Sequence, residues 1–168
     1  TTGIDISTPA IKAACRRNKS IRWIVASASK TPLASNSQDL VSGLFFHFDH
    51  TEITRILKPH GIFILVNTGP NHLIELRREV YDEIKIELEK QLDKQTQGLS
   101  HIESLNYRQE ITLQNSEEIL QLLSMTPHFW RAKPDKKAAL SNLSKLHLTL
   151  DIQFDIFMKN DGLPFNKL

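Results

Sequence analysis

The chain has few of the residues that mark several common kinds of site. A single cysteine among 168 residues excludes an internal disulfide and a cysteine-based zinc site, and the seven scattered histidines show no metal-ligand spacing. The six glycines lie too far apart to form a G-x-G-x-x-G loop. The net charge of +2 indicates no particular partner. No signal peptide or run long enough to span a membrane is present, so we expect one cytoplasmic domain over residues 1–168.

The first half of the chain alternates short apolar strands with helices, which is typical of a parallel α/β sheet. We predict strands at residues 3–7, 21–26, 39–46 and 62–66, and helices that begin at Thr8-Pro9 and at Thr51. The third of these strands is apolar on both faces, as a central parallel strand should be.

The second half of the chain has a different pattern. Apolar residues from Leu73 to Leu92 recur at helical spacing and predict one long amphipathic helix. Asn115 and Glu118 have the spacing of a capping box at the start of another helix. Leu146 to Met158 alternate with mostly polar residues, which predicts a long strand with one buried face, antiparallel at the sheet edge. We also predict a loop at residues 93–100, a strand at 107–113 and a last helix at 135–143.

Asp5 stands between the first predicted strand and the first helix. In doubly wound α/β folds an acid at this place accepts hydrogen bonds from the ribose hydroxyls of a cofactor, and Ile6 follows it at the same edge. Such an acid normally lies about 20 residues after a glycine-rich loop, whereas two residues precede Gly3. The chain is therefore expected to be a cofactor-binding domain that begins one βα unit late. The alternative role for Asp5 is that of a helix cap or surface residue.

Three further segments carry a family resemblance. They are Val25–Ser29 with Thr31-Pro32-Leu33, Asn67–Leu76, and Met125–Ala132. In this order they resemble the bacterial 23S ribosomal-RNA guanine-N1 methyltransferases, which are class I enzymes dependent on S-adenosylmethionine. The resemblance implies a Rossmann-like sheet with helices on both faces and an antiparallel C-terminal strand, lacking the first strand and its glycine loop.

The resemblance also implies the cofactor and the partner. The cofactor is S-adenosyl-L-methionine, the partner is ribosomal RNA and not a membrane, and a homodimer is left open. Family members carry an N-terminal four-ligand zinc module, so zinc would belong to that missing module and the sequence resembles the C-terminal two-thirds of such an enzyme.

The missing strand has a physical consequence. A sheet that lacks its central strand leaves unpaired backbone groups. We therefore expect a preceding segment, a partner chain or a changed strand order to fill the gap, and we expect weak cofactor binding, or none, by these 168 residues alone.

Four positions besides Asp5 become candidates through the resemblance. Ala26 and Ser27 lie at the end of the second strand, where backbone groups can contact adenine, although a plain turn is the alternative. His72 is expected near the methionine end of the cofactor, although a histidine at a helix start can also serve as a cap. Glu75, one helical turn after His72, would hold His72 in position rather than contact the cofactor.

The substrate candidates lie in two aromatic segments. His47 and Phe48 follow the third strand, where the family has Ala/Ser-Pro-Cys, and packing of the neighbouring phenylalanines is the alternative there. Trp130 and Arg131 would stack on a flipped guanine and contact a phosphate, or the tryptophan would anchor two helices. No residue stands out as catalytic. A methyltransferase with another substrate and an inactive fragment remain the rival functions.

Overall fold

The computed structural model describes residues 1–46, 49–84 and 98–160. His47, Phe48 and the second half of the predicted long helix lie outside the described residues. The elements are β1 (Thr2–Asp5), α1 (Thr8–Arg17), β2 (Arg22–Val25), β3 (Gln38–Leu44), α2 (His50–Ile56), β4 (Leu57–Thr68), α3 (Ile74–Val80), β5 (Leu99–Leu113), α4 (Ser116–Ser124), α5 (His128–Arg131), α6 (Pro134–Ser141) and β6 (Leu146–Lys159).

The strands form two sheets. β1 and β2 pair in parallel, with Ile4 opposite Ile24, and the other sheet has the order β3-β4-β6-β5. β4 and β6 run in opposite directions. Phe63 stacks on Phe157, and the N–H of Gly69, just after β4, donates to the carbonyl of Asp151, which precedes Phe157 in β6. The predicted antiparallel direction of the C-terminal strand is therefore confirmed, but its predicted place at the sheet edge is wrong, because β6 lies between β4 and β5.

The strand order also shows whether another described strand takes the place of the missing central strand. Among the described residues β1 pairs with β2 and β3 pairs with β4, and no strand joins the two sheets. Of the three expected ways to fill the gap, the changed strand order is therefore wrong, and within the described residues one edge of β1 and one edge of β3 have no neighbouring strand.

The exposure of β3 differs from the prediction made from the sequence. β3 was predicted to be a buried central strand, yet Leu40 is 57% exposed and Leu44 is 61% exposed. β3 is instead the edge strand of its sheet. Its apolar residues lack the neighbouring strand that would cover them, so a run that is apolar on both faces here faces solvent.

The described residues fall into two compact units. The first comprises those within 1–65, 93–103 and 155–168, and the second those within 66–92 and 104–154. In the second unit, α3, α4, α6 and β6 enclose a core centred on the fully buried Leu76, Ile119, Leu123, Leu140 and Leu148.

Helix boundaries follow the local sequence. α1 begins after Ser7, whose side chain caps it, with Pro9 in its first turn. α4 has the predicted cap, since Asn115 Oδ1 accepts the Glu118 N–H at 2.9 Å. α3 is shorter than predicted because Tyr81 leaves the helix with extended backbone angles.

Candidate functional site

Asp5 ends β1 with its carboxylate held at the start of α1. Its Oδ1 accepts the Ser7 N–H at 2.7 Å, and Ser7 Oγ in turn accepts the Ala10 N–H at 3.3 Å. The side chain is exposed, and Oδ2 bonds no residue in the described part of the chain. Asp5 therefore orients the helix start with one oxygen while the other can accept a hydrogen bond from a ligand.

The other candidates of the first unit lie at the same end of β1 and β2. The Ala26 N–H donates to the Asp5 carbonyl at 3.1 Å, which brings the two strand ends together. Ser27 starts a turn in which its carbonyl accepts the Lys30 N–H at 3.2 Å. Ile6 is 76% exposed beside Asp5. Asp5, Ile6, Ala26 and Ser27 are thus gathered at the carboxyl edge of a parallel pair, where ligands of such sheets bind.

In the second unit, His72 belongs to a turn that Asp151 of β6 fixes in three ways. Asp151 carbonyl accepts the Gly69 N–H at 2.8 Å, its Oδ2 accepts the Asn71 N–H at 2.9 Å, and its own N–H donates to His72 Nδ1 at 3.3 Å. Nδ1 is therefore the acceptor nitrogen, so the neutral ring carries its proton on Nε2.

Burial favours the neutral form of this histidine. The loss of water contact lowers the pKa of His72, although the nearby Asp151 carboxylate acts in the opposite direction. One turn later, Glu75 accepts the Thr149 N–H at 2.8 Å and the Thr149 hydroxyl at 2.7 Å. These hydrogen bonds lower the pKa of Glu75 against the effect of burial. Glu75 thus fastens α3 to β6 and supports the turn that holds His72.

Trp130 and Arg131 lie on the short helix α5. The Trp130 side chain is 84% exposed, so the alternative in which it anchors two helices is wrong. His128 lies on the same short helix, and its Nδ1 is 2.8 Å from the Tyr81 hydroxyl. Burial and the positive charges of Arg77 and Arg131 lower the pKa of His128.

The sequence analysis missed Asp151 and the pair of Tyr81 and His128. Asp151 stands in the alternating strand, where a polar residue is expected to face solvent. The signal that could have found it is the motif on the partner strand, since Gly69 leaves room for a carboxylate. His128 is part of the Met125–Ala132 segment but had no assigned role.

The first unit holds a concavity. It measures about 670 Å³ and is lined by Asn36, Thr54, Pro59, His60, Gly98, Lys159 and Asn160. None of the predicted site residues lines it. In the part of the chain that the structure describes, no cluster of histidine, cysteine and acidic side chains could hold a metal ion. No described helix has the length and apolarity to cross a membrane.

Comparisons with known proteins show what the chain is similar to. A family profile described as a methyltransferase domain matches residues 1–65. The chain is 30% identical over 161 residues to a Bacillus subtilis protein named "Putative 23S rRNA (guanine-N(1)-)-methyltransferase YxjB", covering 94% of this chain. It is 27% identical over 158 residues to a Streptomyces fradiae protein named 23S rRNA (guanine(748)-N(1))-methyltransferase, covering 91% of this chain.

The chain is therefore similar in sequence to two proteins that are named as 23S rRNA guanine-N1 methyltransferases. It spans 57% and 56% of the lengths of these two relatives. The solved structure of YcgJ from Bacillus subtilis covers 96% of this chain and 82% of its own, with a TM-score of 0.58 and 16% identity, which shows the fold alone. The predicted Rossmann-like class I methyltransferase fold is confirmed by these matches.

Proposed function

We propose that the chain serves methyl transfer from S-adenosyl-L-methionine to N1 of a guanine in 23S ribosomal RNA. The observation that carries this proposal is the open Asp5 carboxylate at the carboxyl edge of β1 and β2, in a chain related to enzymes named for that reaction. The whole enzyme's activity and its RNA substrate come to this chain through that relationship.

The residues of the first unit fit the adenosine part of the cofactor. The unengaged oxygen of Asp5 is suited to accept hydrogen bonds from ribose hydroxyls. The exposed Ile6 offers apolar surface for a purine, and the turn at Ser27 offers backbone groups at its edge. Such contacts orient the ligand without taking part in bond making.

His72 is proposed as a further cofactor contact because the family resemblance assigns this position to the methionine end of the cofactor. When bound, the cofactor supplies a methyl group on a sulfonium. The guanine N1 supplies the electron pair of the new N–C bond, its proton passes to solvent, and the S–C pair stays on the sulfur. This chain therefore has to contribute orientation rather than a nucleophile.

The test of the reaction is the nucleoside content of ribosomal RNA from a strain that lacks the gene. We expect 1-methylguanosine to disappear from one position of 23S ribosomal RNA and to return on complementation. An unchanged 1-methylguanosine content would contradict the proposed reaction, and a methylated product of another kind would favour a different substrate.

The test of the cofactor site is saturation-transfer NMR of S-adenosylhomocysteine with the 168-residue chain, since this method detects the weak binding that we expect. Asp5→Asn should abolish the transfer to the ribose protons. Asp49→Asn is the matched control, because Asp49 Oδ1 accepts the Thr51 N–H at 2.8 Å in the same local geometry at α2. Equal loss in both variants would mean that Asp5 acts as a helix cap alone.

A further inference from the structure

The surface of α5 combines an unusually exposed aromatic ring with cations that lack carboxylate partners. Trp130 is 84% exposed and packs edge-on against Phe129, with ring centroids 5.3 Å apart and an interplanar angle of 88°. Phe129 is in turn covered by the Lys137 ammonium, 4.0 Å from its ring centroid. Trp130 thus contacts Phe129 while most of its side chain remains open to a planar ligand.

Some of the positively charged side chains around α5 are paired with a carboxylate, and others are not. Asp82 accepts both Lys133 and Lys136, at 3.1 Å and 2.9 Å. By contrast, Arg131 and Lys137 form no ion pair with any carboxylate among the residues described. The two cations that flank the aromatic pair therefore keep their charge for an anionic partner.

We infer that Phe129, Trp130, Arg131 and Lys137, the α5 surface, form a stacking site for an unpaired RNA base. The base stacks on the Trp130 indole, Arg131 contacts an adjacent phosphate, and Lys137 adds charge while it holds Phe129 in place. This inference rests on the proposed function, because it takes RNA as the substrate. It deepens that function by requiring an unpaired nucleotide, since a base inside a duplex exposes no face to an indole.

Charge complementarity favours RNA over an apolar partner at this surface. A protein or lipid surface that buried Trp130 would also have to desolvate the unpaired Arg131 and Lys137. A phosphate chain would compensate both charges while a base covered the indole. The residues of the surface belong to one unit and to two adjacent helices, so the arrangement needs no other part of the chain.

The experiment is fluorescence anisotropy of the full 168-residue chain with a labelled single-stranded oligoribonucleotide, without cofactor. Trp130→Ala should weaken binding by about 5- to 150-fold, the range for loss of one stacked base. Trp130→Phe should restore most of the affinity because it keeps an aromatic face. Arg131→Gln should reduce the slope of log affinity against log salt by about 0.7, the value for one phosphate contact on a single strand.

Met125→Ala is the matched control. Met125 is 83% exposed at the end of α4 and has no aromatic or charged partner among the described residues, so its loss should change affinity by less than about twofold. Equal losses in the Met125 and Trp130 variants would indicate a nonspecific apolar surface and overturn the inference. Equal affinity for a blunt duplex of the same sequence would overturn it as well.

The test of the stacking site can fail or succeed independently of the test of the proposed methyl transfer. If methylation of ribosomal RNA is confirmed in the strain while Trp130→Ala binds RNA normally, the stacking site is wrong and the reaction stands. If Trp130→Ala loses RNA binding while 1-methylguanosine is unchanged in the deletion strain, the surface binds RNA for another purpose. The anisotropy readout needs neither cofactor nor catalysis.

Discussion

The Asp151 carboxylate occupies the space that a side chain at residue 69 would need. A Cβ added to Gly69 would lie 2.5 Å from Asp151 Cγ and Oδ1. Gly69 has no positive φ, so glycine is required there for space and not for backbone conformation. The close approach lets the same carboxylate reach the Asn71 N–H and lets the Asp151 N–H reach His72.

We therefore expect Gly69→Ala to destabilise the chain. Overpacking costs about 1–3 kcal/mol, which exceeds the roughly 0.4–1 kcal/mol gained by restricting the unfolded chain. Urea unfolding measures the difference. In an Asp151→Ala background the obstructing carboxylate is gone, so the penalty of Gly69→Ala should shrink. An identical cost in both backgrounds would mean that the two residues do not interact.

A second prediction concerns Glu52, which holds the segment after β2 against α2. Its Oε1 accepts the Thr31 N–H and hydroxyl at 2.7 and 2.6 Å, and both oxygens bind the Arg55 guanidinium. The hydrogen bond from Arg55, followed by those from Thr31, lowers the pKa of Glu52 from 4.5 to about 2, against the effect of burial.

Because the folded pKa is depressed, this stabilisation is fully present above pH 4.5 and is lost as the pH falls toward 2. The difference between the two values corresponds to about 3 kcal/mol. We expect Glu52→Gln to remove that part of the pH dependence of unfolding between pH 4.5 and 2. Asp39→Asn is the control, because Asp39 also pairs with a cation, Lys58, but on the surface. Parallel pH curves for wild type and Glu52→Gln would refute the prediction.

A third prediction concerns the protons of His72 and His128. Burial lowers the pKa of both rings below 6.5. The folded chain therefore binds fewer protons than the unfolded chain in this range, and stability should fall as the pH drops from 6.5 through the folded pKa values. Nitrogen-15 NMR of the imidazoles should show His72 protonated on Nε2 at pH 7, with both midpoints below those of the urea-unfolded chain. A His72 proton on Nδ1 would contradict the hydrogen bond from Asp151.

A fourth prediction concerns the exposed apolar residues of β3. Leu40→Lys and Leu44→Lys should change the free energy of unfolding by no more than about 0.5 kcal/mol, as at other surface positions. They should also reduce association of the chain with itself, since charges on an edge strand oppose edge pairing. Leu65→Ala in β4 is the contrast, because Leu65 is 1% exposed and its truncation should cost about 2–5 kcal/mol. A large loss from Leu40→Lys, measured by urea unfolding, would show that the strand is covered in solution.

Local sequence patterns predicted which helices and strands form better than they predicted what packs against them. The cap at Asn115, the alternation of Leu146 to Met158 and the acid at the end of β1 all depend on neighbours in sequence, and the structure has them. The exposure of β3 depends instead on which strands lie beside it. The early end of α3 depends on the backbone at Tyr81, whose hydroxyl meets a residue 47 positions away. Asp151 was missed for the same reason, since its partners lie about 80 positions earlier.

The separation of β1 and β2 from the four-stranded sheet has a consequence for how the chain opens. No ladder of backbone hydrogen bonds connects the two sheets within the described residues. Amide exchange in β1 and β2 can therefore proceed through an opening that leaves the ladders of β4 and β6 intact. The strand end that holds Asp5 would then belong to a less protected part of the molecule than the strand that holds Asp151. Any ligand held at Asp5 would slow exchange in β1 and β2 first.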